Sequence, residues 1–426
     1  MNLSPKKYIK RLIDDKIAKY LQIFGAVSIE GPKWCGKTWT SLNHAKSVSY
    51  VTEQRVYDLA NTNPKFIFKN EHPQLIDEWQ IVPQIWDSVR HECDSDGERG
   101  KFILTGSTTL NYENNGKVFH SGIGRIAIMR MHTMSLFESG ESTGEVSILD
   151  MLKGKIKEGQ VKEYTLMQLA NFIIRGGWPQ NLEMKGLDAQ IVPKSYLESI
   201  ATKDIHERNI SKKNPTKMKM VLRALARNES STVGVKTLVN DIEEYEDENE
   251  LIKSRDTVAD YIEVLDSLYI TANTEAFSLN YRSSKRVGKS AKRHLVDPSL
   301  SCAALNITAE KLLNDHETFG LMFEALAERD LRIYADFLDA HLYHFRDNQS
   351  GDEVDAILEF QNGTYAAFEI KLSSNSISDA IVSLQKFYKN VKKKPVFMCV
   401  IVGYLSAAYK DPESGIFVTP ITALRP

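Results

Sequence analysis

The sequence is poor in cysteine: four in 426 residues, Cys35, Cys93, Cys302 and Cys399, with no CxxC pair among them. That excludes a disulfide-stapled scaffold and a thiolate zinc cluster, and it suits a reducing cytoplasm. Long apolar runs are also missing. The longest, Val396 to Tyr409, covers 14 residues and contains Gly403 and Ser406. A bilayer span needs roughly 20, so no membrane partner is expected. Nor is there an excess of one charge, because 54 lysines and arginines stand against 56 aspartates and glutamates, a formal charge of -2. Any polyanionic partner must be met by a local patch. The basic N-terminal stretch runs into acids rather than into an apolar segment with a small-residue cleavage site, which argues against secretion. No internal repeat and no low-complexity tract is seen.

What remains is an ordinary globular balance, 42% hydrophobic and 26% charged, in a chain long enough for two to four domains. Ile9, Leu12, Ile13, Ile17, Tyr20, Leu21 and Phe24 recur at spacings of three and four, which predicts an amphipathic helix over 8–24. Short apolar runs then alternate with helical patterns: AVSIE at 26–30, QLIDE at 74–78, KFILTGS at 101–107 and GRIAIMRM at 124–131. This cadence predicts an α/β fold with a parallel sheet. From about 139 the pattern becomes helical, and the polar SKKNPTK at 211–217 marks a boundary. Four domains are expected: an α/β core over 1–138, a helical lid over 139–214, a module of three helices and two strands over 215–300, and a second α/β domain over 301–426.

The most specific signal is Gly31-Pro32-Lys33-Trp34-Cys35-Gly36-Lys37-Thr38, which fits GxxxxGK[ST] between a strand and a helical segment. Its glycines allow a tight turn that aims backbone N–H groups at phosphate oxygens beside a helix N-terminus. Lys37 is expected at the β- and γ-phosphates of ATP, and the Thr38 hydroxyl on Mg²⁺. Asp77 and Glu78 close a buried strand. Asp77 is expected to hold Mg²⁺ through water and Glu78 to polarise the attacking water. Ser107 or Thr105, at the end of KFILTGS, is placed to feel the γ-phosphate, unless the hydroxyl serves as a helix cap.

These motifs, with GIGRIAIMRMHTMSLFE and RGGWPQNL, resemble the ordered motifs of prokaryotic AAA-type ATP-binding proteins that carry a C-terminal domain of unknown function. The resemblance covers nearly the whole chain and implies a Mg-dependent ATPase. By that analogy Arg125, and less directly Arg175, is a candidate arginine finger or sensor. A finger supplied in trans would make the protein a homo-oligomer.

Further on, KMKMVLRALARN, VKTLVNDIE and SRDTVADYIEVLDSL give three helical stretches, followed by YITANTEAF and a basic strip from Arg282 to Arg293. The series resembles a winged helix, which reads either as a DNA-binding module, through the strip, or as a packing module, since its third helix carries Asp256, Asp260, Glu263 and Asp266. Last comes Asp355, thirteen residues before Glu369-Ile370-Lys371. Strand alternation puts Glu369 and Lys371 on one face. This D…ExK pattern resembles restriction-endonuclease-like nucleases. It implies a second Mg²⁺ or Mn²⁺ held by Asp355 and Glu369, with Glu324 as an upstream acid and Lys371 assisting the water. The alternative is a degenerate domain that binds without cutting.

Overall fold

The computed structural model describes residues 3–69, 71–107, 122–204, 214–243, 254–278, 290–347 and 351–426. They form two compact units, Met1–Thr133 with Ser267–Tyr269, and Met134–Asp266 with Ile270–Pro426.

The first unit is built on five strands, β1 (Ala26–Glu30), β2 (Ser47–Tyr50), β3 (Gln74–Asp77), β4 (Phe102–Gly106) and β5 (Ile126–Arg130). Their order is β2-β3-β4-β1-β5 and every pairing is parallel. β1, β3 and β4 are buried along their whole length, as strands covered on both faces must be. Alternation sorts their side chains: Val27, Ile29, Leu75 and Ile103 join one apolar cluster, and Ala26, Ile76, Phe102 and Leu104 join the other with Trp79 and Trp86. Because the strands run the same way, their carboxyl ends lie along one edge. The crossover leaving β1 runs toward β2, and the one leaving its neighbour β4 runs the other way to β5; open α/β sheets bind ligands at such a switch point.

Among the described residues the α-helices of this unit are α1 (Ile13–Leu21), α2 (Lys37–His44), α3 (Gln54–Thr62) and α4 (Gln84–Asp96). The helix predicted over 8–24 begins only at Ile13. The Asp14 carboxylate accepts hydrogen bonds from the Arg11 N–H at 2.6 Å and the Tyr8 hydroxyl at 2.7 Å, and these local bonds hold residues 8–11 in a non-helical turn.

The second unit contains an eight-stranded mixed sheet. Its strands are β7 (Gly159–Gln160), β8 (Glu275–Ala276), β9 (His341–Asp347), β10 (Asp352–Glu359), β11 (Tyr365–Lys371), β12 (Phe397–Val402), β13 (Ala407–Lys410) and β14 (Phe417–Pro420), ordered β7-β13-β14-β12-β11-β10-β9-β8. β9, β10 and β11 are antiparallel neighbours, whereas β12 lies parallel to β11 after the crossover helix Ile377–Asn390. A separate parallel pair joins β6 (Val146–Ser147) to β15 (Leu424–Arg425). Through β6 and β7, residues from the segment expected as a lid pair with strands near the C-terminus. The three expected helices are Pro215–Arg227, Val235–Glu243 and Arg255–Ser267. Isolated antiparallel bridges join Ser231 to Arg293, Thr271 to Leu295 and Thr274 to Lys292. Among the described residues, no helix is long and apolar enough to cross a membrane.

Candidate functional site

The phosphate loop leaves β1 at Gly31 and enters α2 at Lys37. A side chain at Gly31 would place its Cβ 2.2 Å from the Met131 carbonyl oxygen, and Gly36 has φ 104°, so both positions require glycine. Trp34 inside the loop also takes a left-handed φ of 66°. The Lys37 ammonium is buried and donates to the carbonyl oxygens of Gly31, at 2.9 Å, and Pro32, at 2.8 Å. It therefore spans the concave side of its own loop, the side that a phosphate chain would line. Arg11, buried and unforeseen in the sequence, ties the loop to the segment that follows β5. Its guanidinium donates to the carbonyls of Cys35 at 2.8 Å, His132 at 2.9 Å and Thr133 at 3.0 Å.

At the same sheet edge Asp77 accepts from two hydroxyls through one oxygen, Thr38 Oγ1 at 2.9 Å and Thr105 Oγ1 at 2.6 Å. Thr38 and Asp77 do not by themselves form a closed cation cage. They suit Mg²⁺, which keeps waters and takes further oxygens from phosphates. Glu78 follows with φ 57°, a conformation costing on the order of 1–2 kcal/mol for a non-glycine residue. Its carboxylate accepts from Gln80 Nε2 at 2.5 Å and Ser107 Oγ at 3.4 Å. Lys37, Thr38, Asp77, Glu78, Thr105 and Ser107 are thus gathered at one edge, as parallel strands dictate.

Arg125 is not among them. It precedes the amino end of β5, where Ile126 pairs with Ala26, whereas the loop begins beyond Glu30, which pairs with Arg130. Five strand residues, about 16 Å, separate the two ends, and Arg125 forms an exposed ion pair with Asp94 at 2.6 Å. Within its own chain Arg125 thus lies at the opposite edge of the sheet from the phosphate loop. Arg175 is likewise committed. It is buried in the second unit and bonded to Glu141 at 2.7 Å. The basic side chain at the carboxyl end of β5 is Arg130, which lies over the Tyr269 ring at 5.3 Å while the Tyr269 hydroxyl donates to Glu30. Burial raises the Glu30 carboxyl above its usual range, against the hydrogen bonds of Tyr269 and Ser28.

In the second unit Asp355 on β10 and Glu369 and Lys371 on β11 come together. The Lys371 ammonium lies 2.8 Å from Glu369 and 3.2 Å from Asp355, while the Ile370 N–H donates to Asp355 at 2.7 Å and Ser383 to Glu369 at 3.0 Å. Glu324 arrives from the long helix His316–Phe337 together with Glu328, one turn on. Between them sits Lys292, its ammonium 2.6 Å from each carboxylate and 3.0 Å from the Asp355 carbonyl oxygen. Glu328 also meets His294 at 3.0 Å and Thr274 at 2.9 Å, and His294 meets Glu229 at 2.8 Å.

Burial and then the Asp355 charge push the Glu369 carboxyl up to about 8, although Lys371 opposes them. Burial likewise lifts Glu324 to about 7 against Lys292. Burial disfavours the charged ring of His294, but the carboxylates of Glu328 and Glu229 outweigh it and raise the group to about 9. Among the described residues, no group of three or more His, Cys, Asp or Glu side chains is placed to hold a metal ion. The metal set expected from Glu324, Asp355 and Glu369 is therefore not assembled here, because lysine ammonium groups stand against all three carboxylates.

The basic strip needs a similar correction. Arg282, Lys285, Arg286 and Lys289 lie outside the described residues. Lys292 is 2% exposed and points into the carboxylates. Arg293 is half-buried and donates to the Val233 carbonyl at 3.3 Å. Glu328 was the residue most open to discovery, since it lies four positions after Glu324 on the same helical face.

Residues 24–139 match the family model described as AAA domain, residues 166–311 match a domain of unknown function (DUF8612), and residues 319–424 match another (DUF4143). A search of curated proteins found no match. Among solved structures, the Walker-type ATPase PABY2304 of Pyrococcus abyssi is 11% identical with a TM-score of 0.40, covering 71% of this chain and 98% of its own. The replication initiator DnaA bound to AMPPCP and single-stranded DNA is 12% identical, TM-score 0.30, covering 62% and 92%. The Thermotoga maritima RuvB Holliday junction branch migration motor is 16% identical, TM-score 0.27, covering 64% and 94%. The phosphate loop and all five strands of the parallel sheet lie within residues 24–139, the stretch that matches the AAA domain model.

Proposed function

We propose that the protein is a cytoplasmic, Mg-dependent ATP phosphohydrolase whose nucleotide state governs a DNA-holding second unit that does not cut. The observation that carries the hydrolase reading is the convergence of Lys37, Thr38, Asp77 and Glu78 at the carboxyl edge of one parallel sheet. When bound, Mg²⁺ would neutralise charge on the β- and γ-phosphate oxygens. Thr38 and Asp77 would hold it. Lys37 would exchange its two loop carbonyls for phosphate oxygens, and the loop N–H groups would fix the chain in place. Glu78, released from Gln80, would orient a water and accept its proton. Arg125 enters this reading only as a group offered to a neighbouring copy, so self-association is part of the proposal.

The winged-helix reading is supported by the order helix, bridge, two helices and two bridged segments across residues 215–295. The nuclease-like reading is supported by a helix, three antiparallel strands, a crossover helix and a parallel strand, with Asp355, Glu369 and Lys371 in mutual contact. The binding alternative is favoured over cleavage by the lysines that engage its carboxylates. The DNA contact is assigned to Arg282, Lys285, Arg286 and Lys289. The test is phosphate release from Mg-ATP by the purified chain with and without DNA, scored beside the integrity of the same DNA. DNA-stimulated release with intact DNA is expected. Metal-dependent scission lost in Asp355→Ala would restore the nuclease reading, and absence of any phosphate release would remove the hydrolase one.

A further inference from the structure

We propose that the Lys292 ammonium is the resident cation of the acidic centre in the second unit, standing where a divalent metal would otherwise be needed to hold Glu324, Glu328 and the Asp355 main chain together. The inference deepens the non-cleaving reading and rests on it, but the metal titration that tests it uses neither DNA nor ATP, so the two readings can fail separately.

Glu324 and Glu328 are four residues apart on one helix, so their carboxylates stack on the same face, an arrangement that is unfavourable between like charges. Glu328 is 1% exposed, and the ammonium that it binds also reaches a backbone carbonyl from β10. Two carboxylates and a carbonyl converging in the interior are a donor set for a hard cation, and burying them without one is costly. Lys292 supplies that cation from an antiparallel bridge with Thr274, which fixes its height against the helix. An ammonium has three N–H donors, and all three are used, on Glu324, Glu328 and the Asp355 carbonyl. The second ammonium, Lys371, bonds Asp355 and Glu369 on the more exposed side. A divalent ion entering here would have to displace charge-assisted hydrogen bonds and lie close to two positive groups. The same side chains that make a D…ExK pattern in the sequence are thereby held in a closed ion-pair network.

The experiment is a Mn²⁺ titration of nucleotide-free, full-length protein followed by electron paramagnetic resonance, with wild type, Asp355→Asn, Lys292→Ala and the double variant Lys292→Ala/Glu324→Gln. The proposal predicts that wild type and Asp355→Asn take up Mn²⁺ identically, so that no ion depends on the centre. It predicts that Lys292→Ala gains one tightly held ion, lost again in the double variant, and that its melting temperature rises with Mn²⁺ while that of wild type does not. A wild-type ion that disappears in Asp355→Asn would overturn the proposal, as would a folded Lys292→Ala that gains none. Should Lys292→Ala fold only in the presence of Mn²⁺, the proposal is supported, and should it not fold at all, the wild-type comparison decides. DNA scission without any Mn²⁺ bound at this centre would defeat the non-cleaving reading and leave the resident-cation inference standing.

Discussion

Gln80 donates its side-chain amide to the Glu78 carboxylate at 2.5 Å. Glu78 is the residue assigned to the attacking water, and its backbone is held in a left-handed conformation at the turn between β3 and Gln80. A carboxylate engaged by an amide is a weaker base. Gln80→Ala is therefore expected to raise basal turnover by up to about tenfold, the equivalent of one charge-assisted hydrogen bond, with KM for ATP unchanged. Steady-state phosphate release checks it, and a fall in kcat would mean that Gln80 positions Glu78 productively.

Arg11 joins three carbonyls of two segments from a buried position. Arg11→Ala should cost about 3 kcal/mol or more of stability, because it leaves buried acceptors without donors. It should also weaken ATP binding through a loosened loop. Arg11→Lys is not expected to rescue either, since a single ammonium cannot reproduce the fork. Denaturant melts and nucleotide titrations of both variants provide the check.

The acidic centre is expected to make stability fall as pH rises. Glu369, Glu324 and His294 have folded values raised to about 8, 7 and 9. The folded chain therefore holds more protons than the unfolded one above the ordinary carboxylate and imidazole ranges. Their contribution is fully present below the unfolded values and is lost as pH climbs through the folded ones. Glu328, held low by Lys292 and His294 against its burial, acts oppositely and loses its contribution in acid. Thermal melts should show a lower Tm near pH 9 than near pH 6, with the decline reduced in Glu369→Gln. A flat profile over that interval would contradict the assignment.

If DNA is held through the basic strip, neutralising Lys285, Arg286 and Lys289 should flatten the dependence of affinity on salt, lowering the slope by about one for each phosphate no longer neutralised. Arg293→Gln should change the slope little, because that side chain is turned toward Val233. Fluorescence anisotropy at several salt concentrations distinguishes the two.

The parallel sheet and its phosphate loop were legible because their requirements are local: two glycines, a lysine and a threonine in eight residues, and carboxylates at the end of an apolar run. Strand direction then decided the rest. Arg125 reads as a finger in a one-dimensional motif, yet β5 carries it to the far end of the sheet from Lys37. Lys292 was hidden for another reason. In the sequence it belongs to a run of bases and looks solvated, and only the bridge with Thr274 turns it inward onto Glu324 and Glu328. The helix start was misplaced because Asp14 bonds backward to residues 8 and 11 rather than extending the apolar stripe.

The central claim is tested most directly by measuring ATP binding and phosphate release on wild type, Lys37→Ala and Glu78→Gln side by side in Mg²⁺. Wild type should bind and hydrolyse, Lys37→Ala should lose tight binding, and Glu78→Gln should bind normally while releasing phosphate about 10²- to 10⁴-fold more slowly. Undiminished ATP binding by a folded Lys37→Ala, or equal loss of binding in Glu78→Gln, would contradict the account.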